Sequence, residues 1–88
     1  MGETGSGRYR YTARDLERVP PGRVRVGDLI ASAGPPGSGR FSADRVTAVW
    51  WAGKDRFRPV DTWRIEYGAG RYFVNPDTMP VYRVRVPA

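Results

Sequence analysis

The side chains that carry most enzyme chemistry are scarce in this chain of 88 residues. It contains no histidine and no cysteine, so the commonest general base and the commonest soft metal ligand are both absent. Its single lysine, Lys54, falls in a predicted hairpin tip, and Asp28, Asp55 and Asp77 stand beside Gly, Lys and Pro, where turn geometry accounts for them. We therefore expect a protein that is not an enzyme and that holds no metal or cofactor.

The balance of charge favours an anionic partner. Fourteen arginines and one lysine stand against nine carboxylates, which gives a formal net charge of +6. Such an excess is typical of nucleic-acid-binding domains, so DNA or RNA is the first candidate partner and an acidic protein surface the second. The scarcity of lysine has another explanation, the codon bias of a GC-rich genome, under which arginine stands wherever any cation would serve. Both explanations stay open at this point.

Residues 48–58, AVWWAGKDRFR, combine aromatic and basic side chains in a predicted hairpin. The cations of this segment are Lys54, Arg56 and Arg58. Trp51 is the aromatic residue nearest to them, and single-strand binders combine cations that hold the nucleic-acid backbone with a ring that stacks on a base. The alternative is that Trp51 covers the end of the domain or packs against Tyr9 and Tyr11 of the N-terminal segment.

The elements that must position these residues are short strands. Eleven glycines and eight prolines divide the chain into short pieces that β-branched and aromatic residues fill. Patterns of period two predict five strands, near residues 23–31, 44–52, 62–67, 71–75 and 81–86. Before them, the spacing of Thr12 and Asp15 is that of a capping box and predicts one or two helical turns over residues 13–18. Because no amphipathic helix covers a sheet face, we expect an all-β fold, a small five-stranded barrel.

Alternation along the strands assigns side chains to the two faces of the sheet. In the second strand Trp50 shares a face with Val46 and Ala48, which we expect to be the inner one. This leaves Trp51 outside, although a bulge would exchange the two rings. The residues expected to face inward in the third and fifth strands are Trp63, Ile65, Tyr67, Tyr82, Val84 and Val86.

From residue 24 the chain reads VRVGDLI, a loop, RVTAV, a hairpin, WRIEYGAG and VNPDTMPVYRV. This pattern resembles small SH3-like barrels, among them short barrel proteins of actinobacteria and their phages and, more distantly, KOW-type modules of transcription and translation proteins. The resemblance implies a five-stranded SH3-like barrel. Through the KOW-type modules it also implies binding to nucleic acid or to a ribonucleoprotein.

The sequence RVRV occurs twice, at residues 23–26 and 83–86. The first and last strands of an SH3-like barrel lie close together, so the resemblance implies one outward cluster of arginines from both copies. These residues are Arg23, Arg25, Arg83 and Arg85. Like charges that face each other across a ladder destabilise it, which favours a role for these residues on phosphates. Two alternatives stay open: the arginines protect an edge strand from aggregation, or Glu17 or Glu66 lies between them.

The expected organisation is a disordered tail at residues 1–8, an N-terminal segment at 9–22 that packs on or leads into the barrel, and a barrel domain at 23–88. The chain has no apolar run long enough for a membrane span and no signal-peptide pattern, so we expect a cytoplasmic protein without a membrane partner. We also expect a monomer or a weak homodimer. The leading functional hypothesis is a nucleic-acid-binding module. The alternative is a protein-interaction or accessory module of phage, plasmid or actinobacterial origin that docks a host protein or its own copy.

Overall fold

Antiparallel strands account for most of the chain in the computed structural model, which describes residues 9–85. The strands are β1 (Tyr11–Thr12), β2 (Leu16–Val19), β3 (Leu29–Ala33), β4 (Arg40–Lys54), β5 (Asp61–Tyr67), β6 (Arg71–Pro76) and β7 (Val81–Val84). Two 3₁₀ turns, Ala13–Asp15 and Pro21–Arg23, are the only helical segments within the described range. The expected all-β class is confirmed.

The strands form one sheet in the order β2-β7-β3-β4-β5-β6, and β1 pairs with the opening residues of β4. The expectation of a closed five-stranded barrel is wrong in two respects. Residues 9–85 contain seven strands, and the outer strands β2 and β6 do not pair with each other. The difference arises in the N-terminal segment, because β1 occupies a free edge of β4 and β2 occupies a free edge of β7.

Strand β4 is 15 residues long and belongs to both halves of the sheet. Its first half pairs with β3, and its second half pairs with β5 from Val46 to Lys54. The register shifts between Val46 and Ala48 and again between Trp51 and Gly53, where the glycine has a φ of 105° that other residues rarely adopt. At roughly 3.3 Å per residue such a strand extends about 50 Å. This length agrees with the longest dimension of the molecule, 47 Å.

A small aliphatic core lies where the two halves of the sheet meet. Its members are Val19, Val24, Ile30, Val46, Ile65 and Val81, with Val49 and Phe73 packed against them. Val46 and Ile65 are completely buried. The core ends at Val49 and Ile65, so residues 50–63 of the β4–β5 hairpin extend past it, and we call this segment the arm.

The aromatic residue that anchors the base of the arm is Trp63. It is partly buried, shares the inner face of β5 with Ile65 and Tyr67 as expected, and packs along the backbone of Gly22. An ideal Cβ at Gly22 would lie 2.9 Å from both Cε2 and Nε1 of Trp63. The backbone amide of Gly22 also donates to Asp77 Oδ1 at 3.1 Å, which ties the second 3₁₀ turn to the end of β6.

The first RVRV copy is not a strand, contrary to the prediction. Pro20 and Pro21 start a 3₁₀ turn in which the amide of Arg23 donates to Pro20 O at 2.9 Å. A tight turn follows, since Asp28 Oδ2 accepts the amide of Arg25 at 2.8 Å. Of the two valines expected to share a face, Val24 is buried and Val26 is 65% exposed.

The predicted facing of β7 is also wrong. Its register with β2 places Val81 opposite Val19, and both of these valines are buried in the core. Tyr82 consequently lies on the other face and is 48% exposed, while Arg83 shares the face of Val81. The expectations for Val86 and for a disordered tail at residues 1–8 lie outside the described residues.

The capping-box pattern marks a single turn at the N-terminal end of the sheet. The amide of Thr12 donates to Asp15 Oδ2 at 2.8 Å, as the spacing predicted. The turn ends at once, because Leu16 enters β2 and pairs with Val84 of β7. Within residues 9–85 no helix has the length and apolar character required to cross a membrane.

Candidate functional site

The three cations predicted for the hairpin lie at the tip of the arm. Lys54 ends β4 and pairs with Asp61 at the start of β5, with 3.0 Å between Lys54 Nζ and Asp61 Oδ1. Arg56 and Arg58 lie in the loop that closes the hairpin, where the amide of Asp55 donates to Val60 O at 2.8 Å. Both arginines are exposed, and neither makes an ion pair within the described part of the chain. The tip therefore presents two unpaired guanidinium groups.

Trp51 of β4 is the ladder partner of Trp63 in β5, on the same face of the arm, and it is 54% exposed. Its ring is on the same face as Ile65 but beyond the end of the core, which is why it stays accessible to solvent. Its Nε1 donates to Asp61 Oδ1 at 3.0 Å. The hydrogen bonds from Lys54 and Trp51 hold the pKa of Asp61 below its ordinary value, so this carboxylate stays ionised beside the indole.

Trp50 lies on the opposite face of the arm and is 46% exposed, so the prediction that it enters the core is wrong. The cause is the bulge at Thr47, between Val46 and Ala48, which shifts the phase of the strand by one residue. Val46 and Val49 point toward the core as a result, and Trp50 turns outward.

Trp50 belongs to a surface that we call the outer aromatic face. Its members are Trp50 of β4, Arg64 of β5, and Tyr72 and Val74 of β6. Arg64 lies between Trp50 and Val74 in the ladder, and both flanking side chains are nearly half exposed. The Arg64 Cζ atom is 3.8 Å from the centroid of the Tyr72 ring and 5.4 Å from that of Trp50. One guanidinium plane thus bridges two exposed aromatic rings.

A carboxylate fixes the orientation of Arg64. Arg64 Nε and Nη2 donate to Glu66 Oε2 at 3.1 and 3.0 Å, and both side chains are about one third exposed. Glu66 therefore offsets the positive charge of Arg64. The main contribution of Arg64 to the outer aromatic face is then the planar surface of its guanidinium group. Unpaired positive charge for this region comes from Arg56 and Arg58 at the arm tip.

The outer aromatic face is a site that the sequence pattern does not predict. With Trp63, Ile65 and Tyr67 expected to face inward, alternation leaves Arg64 and Glu66 on the outer face of β5, where the structure has them. The pairing of β5 with β4 on one side and with β6 on the other places Arg64 between Trp50 and Val74, and this pairing was the signal that would have connected them. The bulge at Thr47 concealed it, because the residues around Thr47 contain no glycine, asparagine or proline to mark an irregularity.

The four arginines of the RVRV copies do not form one free cluster. Arg83 is largely enclosed, with Nε 2.8 Å from Glu17 Oε2 and Nη1 2.9 Å from Asp28 Oδ2. These bonds, first that from Glu17, raise the pKa of Arg83. Glu17, one of the two carboxylates expected as possible partners, pairs with Arg83 alone among the four arginines. Asp28 contacts both the amide of Arg25 and the side chain of Arg83. Arg83 thus joins β2, β7 and the turn before β3 rather than facing solvent.

The other three arginines of the RVRV copies, Arg23, Arg25 and Arg85, are exposed. Arg23 comes closest to Arg83, through its carbonyl oxygen, which lies 3.4 Å from Arg83 Nη1. Arg25 Nη1 donates to Gly22 O at 3.4 Å, and Arg85 Nε donates to Arg14 O at 3.3 Å. None of these three side chains makes an ion pair with another described residue.

Stacking and phosphate binding are the chemistry that this surface offers. Exposed rings on both faces of the arm provide apolar planes, and the unpaired arginines provide charge and planar donors. Among residues 9–85, no three histidine, cysteine, aspartate or glutamate side chains are grouped so that they could hold a metal ion.

Comparison with known protein families, curated proteins and solved structures finds no match to this chain. The geometry of the described residues is therefore the basis for a functional assignment.

Proposed function

We propose that the protein is a non-enzymatic module that binds single-stranded nucleic acid across the outer aromatic face and the arm. The observation that supports this proposal best is the arrangement of Trp50, Arg64 and Tyr72, in which exposed rings flank a guanidinium held in place by Glu66. Base stacking on such a surface contributes about 1 to 3 kcal/mol per base.

The charges of the arm suit a polyanion that continues past the stacked bases. Arg56 and Arg58 lie at the tip of the same hairpin that carries Trp50 and Trp51. Guanidinium groups that have no carboxylate partner form charge-assisted hydrogen bonds to phosphate oxygens, and release of counterions adds to the affinity. In this proposal the outer aromatic face binds bases and the arm tip binds the backbone that follows them.

A single strand suits the surface better than a duplex. Trp50 and Tyr72 are each about half exposed, and an aromatic side chain stacks only on a base that has left its own stack. Binding to a duplex would use the arginines alone. We accordingly expect single-stranded DNA or RNA to bind more tightly than a duplex of the same length.

A titration of tryptophan fluorescence with single-stranded DNA, single-stranded RNA and duplex DNA, at low and at high salt, tests the proposal. We expect quenching by the single strands at low salt, and a Trp50→Ala variant that binds about tenfold more weakly because one stacked base is lost. Trp51→Ala should also reduce binding, with little change in thermal stability because the ring is exposed. Absence of quenching by every nucleic acid at low salt would refute the proposal.

Tyr82→Ala is the matched control for these variants. Tyr82 is 48% exposed, close to the exposure of Trp50, but it lies on β7 in the other half of the sheet. We expect its loss to leave nucleic-acid affinity unchanged. Equal weakening by Tyr82→Ala and Trp50→Ala would show that binding does not depend on the outer aromatic face.

The second candidate function is docking of a protein partner, either an acidic surface or a second copy of the chain. The observation that favours it is β6, which pairs only with β5 among the described strands and carries Tyr72 and Val74 beside its open edge. Such an edge accepts a further strand. Sedimentation at high protein concentration separates the two functions, because strand addition gives self-association that depends weakly on salt.

A further inference from the structure

A concave site lies away from the outer aromatic face, in the half of the sheet built from β1, β2, β3, β4 and β7. The first 3₁₀ turn joins β1, on one side of β4, to β2, at the edge beyond β7. Residues from this crossing and from the strands enclose a pocket of about 570 Å³. Pockets of roughly 300 to 1,000 Å³ are the usual size for small-molecule sites.

Most of the pocket wall is apolar. The residues concerned are Ala13 of the first 3₁₀ turn, Leu16 of β2, Phe41 of β4 and Tyr82 of β7. Tyr82 remains 48% exposed although it lines this concavity, so part of its ring is accessible to an incoming molecule. A flat apolar ligand would cover that ring and the side chain of Phe41.

Two arginines, Arg18 and Arg85, also line the pocket. Arg18 is the ladder partner of Tyr82, so the two side chains are neighbours on one face of the sheet. Arg85 is held in place by its backbone amide, which donates to Asp15 O at 2.8 Å, and by Nε, which donates to Arg14 O at 3.3 Å. Neither arginine makes an ion pair with another residue of the described range.

The carboxylates near the pocket already have partners. Glu17, which lines it, accepts Arg83 Nε at 2.8 Å, and Asp15 Oδ2 accepts the amide of Thr12 at 2.8 Å. These bonds leave Arg18 and Arg85 without an internal counterion. Attraction to an anion is stronger beside apolar walls than in open water, because the local dielectric constant is lower. The pocket therefore complements a ligand with one flat apolar part and one negative charge.

We propose that this pocket binds a small planar organic anion, an aromatic ring system that carries a single carboxylate or sulfonate group. The ring lies against Tyr82 and Phe41, and the anionic group accepts hydrogen bonds from Arg18 and Arg85. This site is separate from the arm and does not depend on nucleic-acid binding.

Amide NMR of the full chain titrated with naphthoate tests the site, with naphthylmethanol as an uncharged ligand of similar shape. We expect naphthoate to shift the amide signals of residues around Leu16 and Tyr82, and to bind about a hundredfold more tightly than the alcohol because the alcohol forms charge-assisted bonds to neither arginine. Equal affinity for the two ligands would overturn the proposal, as would shifts confined to the arm.

Arg18→Gln and Arg85→Gln test the two cations. Arg18 and Arg85 are exposed, so both variants should fold, and circular dichroism checks this point. We expect each substitution to weaken naphthoate about tenfold while leaving the weak binding of naphthylmethanol unchanged. Arg58→Gln, at the arm tip, is the matched control and should bind naphthoate like the original chain. Unchanged naphthoate affinity in both pocket variants would refute the assignment, whatever the outcome of the nucleic-acid titrations.

Discussion

Adjacent tryptophans in the arm differ in what surrounds them. Trp50 has Arg64 on its flank and belongs to the outer aromatic face, whereas Trp51 donates a hydrogen bond to the ionised carboxylate of Asp61. Each ring lies beside an ion pair, Lys54–Asp61 at Trp51 and Arg64–Glu66 at Trp50. The two differ because the guanidinium of Arg64 lies over the Trp50 ring, within cation–π distance. Alternation in the sequence correctly placed the two rings on opposite faces, but only the register with β5 shows which ring has the cationic neighbour.

Gly22 is a residue whose lack of a side chain is required by packing. We expect Gly22→Ala to reduce the free energy of unfolding by about 1 to 3 kcal/mol, since the new methyl group overlaps the indole of Trp63. Chemical denaturation measures this loss. In a Trp63→Phe background, which lacks the two indole atoms concerned, the same substitution should cost less. An equal cost in both backgrounds would show that another contact is responsible.

Asp61 provides a test of the arm geometry by titration. Hydrogen bonds from Lys54 and Trp51 lower its pKa below 3.8, so its contribution to stability is fully present above that value and is lost as the pH falls through the lower, folded pKa. We expect NMR titration to give a lowered midpoint that returns toward 3.8 in Lys54→Gln. The indole N–H signal of Trp51 should move over the same pH range, and Asp61→Asn should abolish that movement. An ordinary pKa in the original chain would contradict the geometry.

At the scale of the elements, period-two patterning predicted β5 and β6 well. The alternation in TWRIEY is regular, and Ile65 is completely buried on the inner face. The pattern failed at β4 and at the first RVRV copy. A bulge at Thr47 reverses the facing of everything after it, and the consecutive prolines at 20 and 21 turn an apparently alternating segment into a 3₁₀ turn. Both features depend on tertiary pairing or backbone closure, which local alternation does not report.

The arm should be less stable than the rest of β4. Its ladder continues to Lys54 and Asp61, but the core ends at Val49 and Ile65, so the outer pairs have little apolar burial to support them. We expect native-state hydrogen exchange to show local opening of the ladder near Gly53 at a lower free energy than near Val46. Uniform protection along the hairpin would mean that the arm unfolds together with the core. Nucleic acid bound as proposed should slow exchange in the arm.

For the molecule as a whole, the excess of positive charge appears in the structure as arginines that have no carboxylate partner. Among residues 9–85 three arginines, Arg64, Arg71 and Arg83, form ion pairs, and ten do not. Composition gives the net charge, and the period-two patterns predicted the all-β class. Composition could not predict that Arg83 forms ion pairs with Glu17 and Asp28. Arg83 is far from both carboxylates in sequence and meets them only when β7 pairs with β2 and β3.

The salt dependence of nucleic-acid affinity tests whether phosphates are bound by the arginines of the arm tip or by unpaired arginines spread over the whole surface. For single strands, the logarithm of affinity falls with the logarithm of salt concentration by about 0.7 for each phosphate contact. We expect the double substitution Arg56→Gln and Arg58→Gln to make this slope shallower by about 1.4, since two contacts are removed. The matched control is Arg14→Gln with Arg40→Gln, two exposed arginines without an ion pair that lie near β1, where β4 begins and far along that strand from the arm. Equal changes of slope in the two double variants would mean that the charge acts diffusely and that the arm tip is not the phosphate site.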